Sequence, residues 1–177
     1  MSGQKTITLG GGCFWCIEAV FELMPGVDQV VSGYMGGSLR NPSYREVCTG
    51  STGHAEVVQL TFRPELSTLE DILDVFFLIH DPTTLNQQGY DVGTQYRSVI
   101  FYHDEEQHTQ VRAYMDRMIA SNQFAKPIVT EVAAAEIFYP AENYHQSYFR
   151  NNSEQPYCQA VVAPKVMKYL TKYGTRS

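Results

Sequence analysis

Apolar positions take up a helical period soon after the chain begins: Phe14, Ile17, Phe21 and Met24 lie three or four residues apart until Pro25-Gly26 ends the run. Residues 6–9 before them read as a strand, and Gly10-Gly11-Gly12 as the tight turn between the two. A second strand is predicted over 27–34, closed by Gly36-Gly37. The turn-forming Asn41-Pro42 then places Tyr44 in a loop. Over 54–62 the period changes to two, so Glu56 shares one strand face with Val58, Leu60 and Phe62. Ser67 and Glu70 form a capping-box pattern ahead of Leu69, Ile72, Leu73 and Phe76, which predicts a helix over 68–79.

The pattern then lapses over 81–96, a stretch rich in Gly, Asn, Gln and Thr; loops of that length without structure of their own are usually functional. A strand at 98–102 follows. Asp104 and Gln107 open a helix whose apolar side is Val111, Met115, Met118 and Ile119. A strand is expected over 128–138 and a helix over 141–149. A polar, flexible stretch then carries Tyr157-Cys158, before a short helix that opens at Pro164 and includes Val166, Met167 and Leu170. Strands and helices alternate without a regular strand-helix-strand rhythm, which predicts a two-layer α+β fold with helices packed on a mixed sheet.

Composition narrows the function classes. The 177 residues fit a single domain over 1–177, and 44% hydrophobic with 18% charged residues is ordinary for a globular chain. Thirteen basic against nineteen acidic residues leave a net charge of -6 with no Lys/Arg cluster, so nucleic acid is not an expected partner. No apolar run reaches membrane-spanning length and the first residues lack a signal-peptide core, so a soluble, cytoplasmic protein is expected. In that compartment the four cysteines stay reduced, which favours catalytic or metal-binding use over a disulfide framework.

Cys13 lies where the glycine-rich turn opens into the first helix, so free backbone N–H groups and the positive end of the helix dipole are expected to favour its thiolate. The competing reading is an inert, buried cysteine. Glu56, on the apolar face of its strand, is either a desolvated carboxyl that keeps its proton or a residue at the sheet margin that reaches solvent or an arginine. Cys13-x-x-Cys16 with Cys48 and Cys158 also offers four thiolates to a structural zinc ion, but Cys48 and Cys158 are solitary where zinc sites usually pair two couples. A general Cys-x-x-Cys thiol-disulfide oxidoreductase and a passive binding module without turnover remain as further alternatives. His54 and His145 have no ligand spacing on a helix face and are expected to be structural.

Five segments carry a family resemblance: GGCFWC at 11–16, NPSYREVCTGSTGHAEVV at 41–58, QGYDVGTQYRS at 88–98, YHQSYFRNN at 144–152 and PYC at 156–158. In this order they resemble the signature segments of A-type peptide methionine sulfoxide reductases. The resemblance implies a ferredoxin-like core and reduction of the S epimer of methionine sulfoxide, free or in proteins. It implies that Cys13 attacks the sulfoxide sulfur and becomes a sulfenic acid, with Glu56 as the proton donor. Tyr44 and Tyr96 would hydrogen-bond the sulfoxide oxygen, Asp91 would help to hold the substrate, and Phe14 and Trp15 would wall in its methyl group.

By the same resemblance Cys158 is the resolving thiol, no metal or cofactor is needed, and an external reductant of the thioredoxin kind reopens the disulfide. A monomer is expected. The chain departs from the family at two positions, Cys16 where Gly is usual and Tyr90 where Asn is usual. Residues three apart on a helix have Cβ atoms about 5 Å apart, so Cys16 competes with Cys158 as the resolving thiol. Cys48 is expected to be a buried spectator.

Overall fold

The computed structural model describes residues 3–174. Strand β1 (Lys5–Gly10) leads through the glycine turn into helix α1 (Phe14–Phe21), and β2 (Val27–Met35) follows. A short helix α2 (Tyr44–Cys48) precedes β3 (Ala55–Phe62), which runs on to α3 (Leu69–Ile79). The two-residue strands β4 (Gln87–Gln88) and β5 (Asp91–Val92) form a separate hairpin, succeeded by a 3-10 turn, Thr94–Tyr96. Strand β6 (Val99–Tyr102), helix α4 (Glu105–Ala120), β7 (Glu131–Ala134) and β8 (Tyr139–Pro140) come next. The 3-10 turn Asn143–His145, helix α5 (Tyr148–Asn151), a π-helical turn Cys158–Val162 and helix α6 (Ala163–Tyr173) close the described chain.

Six strands form one sheet in the order β7-β6-β1-β3-β2-β8. The pairs are antiparallel except β6 with β7, so the sheet is mixed, as the sequence pattern predicts. Its two faces are unequal because side chains alternate along each strand. Ile7 and Leu9 of β1, Tyr34 of β2, Val58, Leu60 and Phe62 of β3, and Ile100 of β6 pack under the helices in the main core. Met35, Ala55, Val57, Val99 and Phe101 point the other way, into a smaller cluster covered by Ala133, Ala135 and Phe138. The period-two reading of β3 is therefore right, and Glu56 falls on the helix-covered side.

Several expected boundaries shift, each for a local reason. Tyr44 is not in a loop but opens α2, because Ser43 and Glu46 close a capping box around it. The box ahead of α3 is Thr68 with Asp71 rather than Ser67 with Glu70, since the Ser67 hydroxyl is taken by the carbonyl of Pro25. The strand expected over 128–138 pairs only at Glu131–Ala134, on the sheet edge. The helix expected over 141–149 breaks up because tertiary hydrogen bonds claim its residues. Gln146 bonds both backbone groups of Ser32, and Ser147 turns left-handed at φ 51.

The largest correction concerns the stretch that carries Cys158. It is no loose polar segment: Cys158 starts the π-helical turn, is 0% exposed and packs in the main core. Cys48, expected to be buried, is exposed at the end of α2.

Candidate active site

The turn between β1 and α1 is built for close approach. Gly12 has φ +92, its N–H donates to the carbonyl of Tyr96 at 3.1 Å, and a Cβ there would come within 2.9 Å of the Gln88 side chain. Cys13 is the N-cap residue of α1, in extended conformation, and its side chain caps nothing. Phe14, the first helical residue, turns its free N–H toward Glu56, whose Oε1 accepts it at 3.1 Å. Glu56 reaches this point from β3 because the helix-facing side of that strand runs beneath the N-terminus of α1. Its carboxyl is 0% exposed, and Oε2 has no hydrogen-bond partner among the described residues.

Burial dominates the electrostatics. Desolvation pushes the Glu56 carboxyl up to about 8, and the negative charge of Asp91 adds to this, against the pull of the Phe14 N–H. The Cys13 thiol is raised well above the ordinary thiol range, first by burial and then by the charges of Glu56 and Cys16. The Trp15 N–H and the Tyr157 hydroxyl only partly oppose this. The expectation that the helix N-terminus yields a resting thiolate is thus overturned: a buried sulfur loses more by leaving water than one helix end returns. Cys16 is likewise pushed up to about 12, mainly by burial. At neutral pH the resting site holds a thiol beside a protonated carboxyl.

Around this pair the structure gathers the other expected residues. The Tyr44 and Tyr96 hydroxyls are half-buried and raised above the normal phenol range, by burial first and then by the nearby Glu56; Cys13 acts on both. Asp91, on the β4–β5 hairpin, accepts from the Tyr157 hydroxyl at 2.7 Å. Trp15 is half-buried under aromatic cover, with Tyr148 stacked on it at 3.8 Å and 8° and Tyr157 edge-on at 5.8 Å. Its indole N–H donates to His145 Nδ1 at 3.2 Å. Phe14, in contrast, is wholly enclosed between Tyr34 and Tyr44 and packs as core.

Two residues, Tyr157 and Tyr148, were not singled out by sequence reasoning. Tyr157 hydrogen-bonds Asp91 and lines the same cavity as Cys13 and Cys16, although its position beside Cys158 gave no spacing rule to find it by. Tyr148 and His145 reach Trp15 from a segment whose helix was mispredicted. His54 holds the 37–39 backbone, accepting from Gly37 N–H at 3.0 Å and bonding the Leu39 carbonyl at 2.7 Å, the structural part expected of it.

A cavity of about 1090 Å³ opens beside the site, lined by Cys13, Cys16, Asp91, Tyr157, Lys165 and further residues of α3 and α6. Cys158 does not line it. Among the described residues no three His, Cys, Asp or Glu side chains are grouped so as to hold a metal ion.

This geometry has close parallels. The family model described as peptide methionine sulfoxide reductase matches residues 5–177. A peptide methionine sulfoxide reductase MsrA from Leptospira borgpetersenii is 54% identical over 167 residues, covering 94% of each chain. The crystal structure of reduced Mxr1 from Saccharomyces cerevisiae superposes with a TM-score of 0.82 at 35% identity, over 88% of this chain and 90% of that one. Mxr1 in complex with Trx2 matches with a TM-score of 0.58 at 25% identity, over 82% and 85% of the two chains. The chain belongs to the peptide methionine sulfoxide reductase family.

Proposed function

We propose that the protein reduces the S epimer of methionine sulfoxide, free or within polypeptides, to methionine, with Cys13 as nucleophile and Glu56 as acid. The observation that carries this reading is the unpartnered Oε2 of a buried, protonated Glu56 beside the Cys13 thiol. A sulfoxide oxygen seated there meets the Glu56 proton and the hydroxyls of Tyr44 and Tyr96. Transfer of that proton turns the sulfoxide into a hydroxysulfonium, which the Cys13 sulfur attacks while its own proton passes to the Glu56 carboxylate. The hydroxyl then moves to Cys13, releasing methionine and leaving a sulfenic acid. Protons and electrons balance, and neither group has to be ionised at rest.

The Trp15–Tyr148–Tyr157 cluster supplies an apolar seat for the methyl group, and Asp91 fixes Tyr157 from the far side. Cys16 resolves the sulfenic acid, forming a disulfide with loss of water. It is one turn from Cys13 and lines the same open cavity, whereas Cys158 is enclosed and off that wall. An external dithiol of the thioredoxin class, the partner seen with yeast Mxr1, then reopens the disulfide. No metal or organic cofactor enters this cycle.

A single-turnover experiment without reductant tests the reading. One methionine per protein is expected from the wild type and none from Cys13→Ser. Reduction of small disulfides with no methionine formed would instead favour a general thiol-disulfide oxidoreductase.

A further inference from the structure

Glu18 is a buried carboxyl that the proposed chemistry does not use. It lies in the second turn of α1, is 1% exposed, and none of the described salt bridges involves it. Burying an anion without a cation is unfavourable unless hydrogen bonds replace the lost water. Glu18 has such bonds, and they come from one place. Its Oε2 accepts from the Ser147 N–H at 2.7 Å and its Oε1 from the Tyr148 N–H at 3.1 Å.

Ser147 needs holding. It is a non-glycine residue at φ 51, ψ 40, a left-handed conformation that an L side chain adopts only at a cost. One face of α1 carries the means, since Trp15, Glu18 and Glu22 sit three and four residues apart. The Ser147 hydroxyl donates to Glu22 at 2.7 Å, Arg150 pairs with Glu22 at 3.6 Å, and His145 accepts from Trp15. The residue immediately after the left-handed turn is Tyr148, whose ring lies flat on Trp15.

We infer that Glu18 is a positioning residue for the sulfoxide site: its carboxylate fixes the Ser147–Tyr148 backbone and so sets the Tyr148 ring as the outer wall of the methyl-binding seat. The inference rests on the proposed reading of the Trp15 side as the substrate pocket. Glu18 touches neither substrate nor thiol, so its contribution falls on binding and not on the chemical step. A side chain that keeps the shape of Glu18 but offers an amide places N–H against N–H at one of the two bonds and loosens the wall.

Glu18→Gln is therefore expected to raise KM for methionine sulfoxide about five- to tenfold while kcat stays within about twofold. Trp15 is the sole tryptophan, so its fluorescence reports the wall directly, and the emission maximum should move to the red as Tyr148 lifts away. Tyr148→Leu should raise KM by a similar factor, and the Glu18→Gln/Tyr148→Leu double variant should be no worse than Tyr148→Leu alone, because both act through one ring. If Glu18→Gln folds too poorly to assay, Glu18→Asp, which draws the carboxylate back by one methylene, should give the same two changes in smaller measure. Wild-type KM and emission in these variants would overturn the inference, as would independent, multiplying effects in the double variant. A wild type without sulfoxide turnover whose Trp15 emission still shifts on Glu18→Gln would sink the proposed activity and leave the positioning intact.

Discussion

The first and second turns of α1 use the same pair of chemical groups in opposite senses. At its start, a backbone N–H of the helix reaches out to the carboxyl of Glu56 on β3. One turn later, a carboxyl of the helix, Glu18, reaches out to backbone N–H groups of the 147–148 segment. Both carboxyls are enclosed, and burial raises both, Glu56 to about 8 and Glu18 to about 7. They differ in what is left over. Both Glu18 oxygens are engaged, whereas Glu56 has one oxygen with no partner among the described residues, so the first makes structure and the second is free to make chemistry.

The sharpest way to break this comparison is at the thiol that Glu56 serves. Cys13→Ser should lower methionine formation by on the order of 10⁴-fold or more, measured in a single turnover, because no other group can take the oxygen. Glu56→Gln comes next, with a single-turnover rate expected to fall about 10²- to 10⁴-fold while sulfoxide binding persists. The acid form of Glu56 exists below its pKa, so the wild-type rate should decline as pH rises through about 8. A single-turnover rate that climbed steeply across that range would contradict an acid at this position.

The same shift bears on stability. A carboxyl raised from 4.5 unfolded to about 8 folded holds its proton more tightly in the native state. Its stabilisation is complete below about 4.5 and is lost as pH climbs through about 8, so Glu56→Gln should flatten the denaturant midpoint across that window.

Smaller effects separate the two candidate resolving thiols. Cys16→Ser should keep the first turnover but slow continuous turnover with a dithiol about 10- to 100-fold, while Cys158→Ser leaves recycling close to wild type. Peptide mapping of the oxidised wild type should find Cys13 joined to Cys16; a Cys13–Cys158 product would reverse the assignment. Tyr157→Phe, which removes the hydroxyl that holds Asp91 beside the thiols, should reduce kcat/KM about three- to tenfold, the size of one net hydrogen bond.

Much of the site was legible in the chain because strand and helix periods are local. The period-two run through Glu56 correctly put that residue beneath the helices, and the glycine turn correctly put Cys13 at the head of α1. The helix of α3 was legible too, misplaced by one residue at its cap. The region after Pro140 was not, since its conformation answers to partners far away in sequence. Gln146 serves as a strand neighbour for Ser32, Glu142 accepts from Tyr34 and the Tyr44 backbone, and Glu18 sets Ser147 left-handed. No local pattern carries such information, and with it went Tyr148, Tyr157 and the enclosure of Cys158. The protonation of Cys13 was missed for a related reason: helix position can be read from sequence, but the depth of burial that outweighs it cannot.

Peroxides and alkylating agents attack thiolates far faster than thiols. A buried nucleophile that rests with its proton on is thus poor bait for the oxidants that damage methionine in the first place. It becomes reactive only when a sulfoxide brings an oxygen ready to take the neighbouring carboxyl's proton. Cys13 should accordingly resist hydrogen peroxide and iodoacetamide near neutral pH, a repair tool shielded from the conditions that call for it.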